Sequence, residues 1–120
     1  MIVPYLDKIM EMRRDSVPDV RLAFVWACEN IATNAPELFC ERMDLFYKMI
    51  QDKCVRVRIE APEMFRVMGK RKPQYIKPYL EKLQWFAYND THPVVRIHSA
   101  GAIRITKRTL KESEDNAKDD

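Results

Sequence analysis

The chain echoes itself three times at a spacing of 37 residues, and this echo limits its fold more than any motif does. The segments run from Ile2 to Ala32, from Phe39 to Gly69 and from Ile76 to Lys107. One extra residue enters the loop of the third segment, so its second half is offset by 38. In the first half of each segment Ile2, Phe39 and Ile76 align. Leu6, Met43 and Leu80 follow, then Ile9, Phe46 and Leu83. Steps of four and three put such residues on one helical face. In the second half the columns are Val20, Val57 and Val95; Phe24, Ala61 and Ser99; Cys28, Phe65 and Ile103; Ile31, Met68 and Thr106. Each unit therefore reads as two helices, with the second packing back on the first. The predicted helices cover 2–14, 19–33, 37–51, 55–70, 74–88 and 94–111. Pro62 falls inside the fourth and is expected to bend it or weaken a turn.

The turn between the two helices of each unit carries the sharpest signature. An acid stands five residues before a Val-Arg pair: Asp15 with Val20-Arg21, Asp52 with Val57-Arg58, and Asp90 with Val95-Arg96. The acid can accept backbone N–H bonds where the second helix begins, at the positive end of its dipole. The arginine can reach the acid of a neighbouring unit, so Asp15, Arg21, Asp52, Arg58, Asp90 and Arg96 are expected to form a structural ladder. Pro18 and Pro93 stand where a first-turn proline costs little.

This pattern of first-helix proline, turn aspartate and Val-Arg resembles the HEAT repeat, and the resemblance covers nearly all of residues 2–107. Pro4 and Pro78 match the first-helix proline, while Glu41 departs from it. Ala61 and Ser99 fit the small position after Val-Arg, and Phe24 departs. The resemblance implies an all-α superhelix, an α-solenoid of three HEAT-like helix pairs (about 2–33, 37–70 and 74–111). It also implies that the second helices line a concave inner surface. The tetratricopeptide reading ranks below it, because that repeat's Trp, Gly and Tyr positions are absent.

Charge is unevenly spread along this framework. The net charge is +3, but residues 112–120 alone contribute −4, leaving +7 on the repeat domain, residues 1–111. The first helices are nearly neutral. The second helices carry −1 in 19–33, +4 in 54–72 and +5 in 94–111. Positions off their core stripe include Leu22, Val25, Trp26 and Glu29, then Ile59, Pro62, Glu63, Arg66 and Lys70, then Ile97, Gly101, Arg104, Arg108 and Lys111. The expected groove is thus apolar and aromatic at one end and basic at the other. Trp26, Arg66, Lys70, Arg104, Arg108 and Lys111 are the candidate partner-binding residues. Lys70, Arg71, Arg108 and Lys111 also suit helix C-termini, where cations complement the dipole. Trp85 and Tyr88 are expected to be semi-buried against the next repeat. Residues 112–120 are expected to be a frayed acidic tail, able to fold back over the basic ridge and screen it.

Other function classes find little support. Cys28, Cys40 and Cys54 are odd in number and lack CxxC spacing, so they read as reduced thiols of a cytoplasmic protein. His92 and His98 have no second ligand at metal spacing, and Glu60 with Glu63 reads as an ordinary surface pair. Two glycines leave no phosphate loop. No nucleophile motif, cofactor site, metal site or membrane span is expected. The expected role is a non-enzymatic scaffold holding a protein partner by an acidic segment. The alternative is nucleic acid gripped through its phosphates. With no polar capping unit before Ile2, the exposed ends are expected to need a partner, a second copy in a homodimer, or a longer array.

Overall fold

The computed structural model describes the backbone of residues 3–119 and the side chains of residues 5–117. Ile2 and the last residue of the 112–120 segment lie outside the described residues. So does the side chain of Pro4. Among the described residues the protein is all-helical, with no strand. Its extents are 50 × 39 × 18 Å, so it is little thicker than two helices.

Three long helices dominate: α2 (Pro18–Asn34), α4 (Val55–Arg71) and α7 (Pro93–Asp119), where the sequence predicts 19–33, 55–70 and 94–111. Pro18 and Pro93 occupy first-turn positions of α2 and α7, where their missing N–H would have had no partner. α4 runs unbroken through Pro62, which forfeits only the bond to the Arg58 carbonyl. α4 lies in the middle, flanked by α2 and α7.

The predicted first helices are shorter and broken. α1 (Val3–Met10) tightens into a 3-10 turn over Glu11–Arg14. The second unit opens with a 3-10 turn, Pro36–Leu38, and turns again before α3 (Met43–Met49). The third is split into α5 (Pro73–Ile76), a 3-10 turn over Lys77–Tyr79, and α6 (Leu80–Asn89). Pro78 explains the third break, since it has no N–H to bond the Gln74 carbonyl. The second break has no proline, because Glu41 stands there. It allows Phe39, Met43 and Phe46 all to be fully buried. The segment Glu11–Arg14 packs on α2, α3 on α4, and α6 on α7.

The core follows the sequence columns. Leu6, Phe24, Cys28, Phe39, Phe46, Val57, Ala61, Phe65, Met68, Leu83 and Val95 form one buried cluster. Phe24 stacks on Phe46 at 5.8 Å between ring centres, and Phe39 meets Phe46 edge-on at 6.0 Å. Each such ring contributes about 2–3 kcal/mol by its burial. Ile9, Val20, Ile31, Leu80 and Ile103 depart from their columns and are only partly buried.

Residues 112–119 continue α7, where the composition predicts fraying. Glu, Lys and Ala are strong helix formers, and Arg108 reaches Glu112 one turn on at 3.9 Å. The acidic segment therefore projects along the axis of α7 and does not fold back over the basic residues.

Candidate functional site

The turn aspartates are built alike. Oδ1 of Asp15 accepts the N–H of Val17, that of Asp52 the N–H of Cys54, and that of Asp90 the N–H of His92, all at 2.8–2.9 Å. The bond reaches two residues ahead, just before the helix, and locks the turn locally. The Val-Arg arginines return to the same turns: Arg21, Arg58 and Arg96 donate to the backbone carbonyls of Asp15, Asp52 and Asp90. Two of them also cross to the next unit. Arg21 meets both carboxylate oxygens of Asp52 at 2.8 and 2.9 Å, and Arg58 approaches Asp90 at 3.5 Å. The bond to Asp52 raises the Arg21 pKa above its ordinary value despite burial.

The basic candidates sit on one side of the long helices. Arg66 and Lys70 of α4 and Arg104 and Arg108 of α7 line a single groove of about 320 Å³, with Gly101 and Ile105 between them. A Cβ on Gly101 would meet nothing closer than the Arg104 side chain at 3.8 Å, so the groove is open there. A second groove of about 230 Å³ runs between α2 and α4, lined by Thr33, Arg66, Val67, Lys70 and Arg71. Arg71 belongs to this surface, and its guanidinium donates to the Thr33 carbonyl at the end of α2. Its helix-end position had a sufficient explanation in its own dipole, which hid the cross-helix contact. Trp26 is 47% exposed and lines neither groove, and Lys111 is exposed beyond them.

The structure corrects three expectations. Leu22 and Val25, placed on the groove by their position off the core stripe, are buried, as is Pro62. These positions point sideways to the next long helix, a direction that a single-helix pattern does not reveal. The expected apolar end of the groove is therefore not formed, since Trp26, though exposed, lines neither groove. Second, Glu60 and Glu63 are not ordinary surface acids. Glu63 lies 2.6 Å from Arg66 and 3.7 Å from His98, whose Nδ1 is 2.7 Å from the Ile59 carbonyl. Glu29 faces Glu60 and Glu63 across the α2–α4 junction. Burial, then the charges of these two acids, push its pKa up to about 8, against the opposing pull of Arg66. Arg66 is thus partly neutralised by its own helix. Third, Trp85 and Tyr88 are exposed at 58% and 75%, because no further helix covers them.

Among the described residues no group of three His, Cys, Asp or Glu side chains is placed to hold a metal ion. No described helix is long and apolar enough to cross a membrane. Cys28 is buried, which pushes its thiol pKa up and away from reactivity. Comparison of the chain with family models, with curated proteins and with solved structures finds no match.

Proposed function

We propose that the protein is a non-enzymatic binding module, a HEAT-like α-solenoid of three helix pairs that holds an acidic protein segment against its long helices. The observation that carries this reading is the convergence of four cations from two helices, Arg66, Lys70, Arg104 and Arg108, on one open groove. An extended segment bearing carboxylates fits such a groove, since charge-assisted bonds to arginine are strong and oriented. Lys70 and Arg104 are the principal contacts, because Arg66 is bonded to Glu63 and Arg108 lies near Glu112. Nucleic acid is the weaker reading, because no aromatic side chain lines the groove to stack a base.

The test is a titration of a fluorescent glutamate-rich peptide against the wild type and the Lys70→Glu/Arg104→Glu double variant. Both positions are exposed, so folding should survive, and circular dichroism checks it. The expected outcome is at least about tenfold weaker binding by the variant. Equal binding by the two proteins overturns the proposal. So does a preference for single-stranded RNA over the peptide that steepens as salt is lowered.

A further inference from the structure

The two junctions inside the molecule show what the outer ends lack. At each junction an arginine of one long helix reaches the turn aspartate of the next unit, Arg21 to Asp52 and Arg58 to Asp90. Among the described residues, Arg96 has no carboxylate partner, and no cation lies within 4 Å of the Asp15 carboxylate, since Arg21 bonds only its backbone carbonyl. Each nevertheless keeps its local turn bonds. The molecule therefore carries an unfilled donor at one end and an unfilled acceptor at the other.

Burial repeats the same asymmetry. Ile97 is 66% exposed, while its equivalent Leu22 is 3% exposed and Ile59 is partly buried. Ala100 is exposed where Val25 and Pro62 are buried. These are the positions that face the following helix at the internal junctions. At the opposite end Val20 and Ile31 are half-buried. Their equivalents Val57 and Met68 in α4, and Val95 and Thr106 in α7, are fully buried. One end is the front half of the internal junction and the other is its back half.

We infer that the chain associates head to tail with further copies of itself, Arg96 and Ile97 of one copy meeting the turn of Asp15 and the exposed face of α2 of the next. Two observations favour a second copy as the occupant. The matching half-junction is present on the same chain, built by the same turn. The charges also agree at the turn itself: the α7 end presents Arg96, and the α2 end presents the Asp15 carboxylate with Ala23, Ala27 and Asn30 beyond it. Pairing like ends would not bring Arg96 to the Asp15 turn. A head-to-tail contact leaves the other end of each copy free, so it propagates as an open array unless its rotation closes a ring. The inference is independent of the acidic-partner reading and does not involve its groove.

Sedimentation velocity on the full chain tests it, with blocking substitutions at exposed positions that leave the core untouched. Ile97→Glu blocks the α7 end and Ala27→Glu blocks the α2 end. The wild type is expected to grow in mass between about 10 μM and about 1 mM, the range of a weak contact. Each variant alone should stay monomeric. An equimolar mixture should form a dimer that grows no further, because each copy supplies the end the other has lost. Asp15→Lys should weaken the association by about tenfold or more. A wild type that stays monomeric throughout overturns the inference, as does either single variant associating like the wild type, a mixture that fails to dimerise, or an Asp15→Lys protein that associates unchanged.

Discussion

Across the α2–α4 junction Arg21 grips both oxygens of Asp52, and the pair is nearly enclosed, with side chains 7% and 11% exposed. Across the α4–α7 junction the equivalent Arg58 stands 3.5 Å from Asp90. The residues and their spacing are the same, yet the contacts differ in kind. The first junction joins its ion pair to large apolar side chains, with Leu22 and Val25 buried and Phe24 stacked on Phe46. The second depends on small and polar groups. Gly69 lets α4 approach α7 so closely that an added Cβ would overlap the Thr106 hydroxyl. That hydroxyl is bonded to the Ala102 carbonyl, and His98 tethers to the Ile59 carbonyl. A repeated motif thus specifies where two helices meet, while the residues around it decide what holds them.

The largest contrast is expected from cutting the two ion pairs. Arg21→Ala strands Asp52 in a nearly closed site and should cost about 3–5 kcal/mol. Arg58→Ala removes a longer contact but leaves Asp90, 7% exposed, without its cation, so it should cost less, about 1–3 kcal/mol. Urea denaturation of both variants measures the difference; equal losses would mean that geometry does not separate the junctions. Next in size is Gly69→Ala. Overpacking against Thr106 should cost about 1–3 kcal/mol, outweighing the helix propensity gained. A more stable variant would show that α4 and α7 can part without penalty.

The carboxyl of Glu29 distinguishes the junctions by pH. Its pKa rises from 4.5 to about 8 on folding, chiefly through burial and then through Glu60 and Glu63. Between those values the folded chain holds a proton that the unfolded chain has released. Stability from this group is therefore undiminished below the unfolded value and falls as pH rises through the folded one. Thermal melts should drop by a few degrees between about pH 5.5 and about pH 8.5, and Glu29→Gln should flatten that slope. A slope unchanged in Glu29→Gln would remove Glu29 as its source. The smallest effect concerns the second junction. Ser99 is buried with its hydroxyl unpartnered, so Ser99→Ala should stabilise by about 0.5–1 kcal/mol. A loss on that substitution would mean the hydroxyl is bonded in solution.

Much of the architecture was legible because helical periodicity reports directly on which face is buried. Val57, Val95, Phe24, Phe65 and Met68 all lie in the core that their columns predict. The sideways neighbours were not legible. Leu22 and Val25 look like groove residues on a single helix, and only the position of α4 buries them. The basic candidates were found because charge accumulates in the second helices. Glu63 and Arg66 stand three apart on α4, a spacing visible in the sequence, but that Glu63 also meets His98 depends on the distance between α4 and α7, which no spacing encodes.

The sequence by itself determined the helical class, the positions of the turns and the registers of the three long helices. Each of these follows from local rules: apolar spacing, a turn carboxylate, a proline at a first turn. Tertiary structure alone decided that Arg21 holds Asp52 with two bonds, that burial beside two acids raises the Glu29 pKa, and that Ile97 is left bare. Those outcomes depend on how closely neighbouring helices approach and on what lies beside the last one. Electrostatic and packing energies change steeply over such ångström-scale distances.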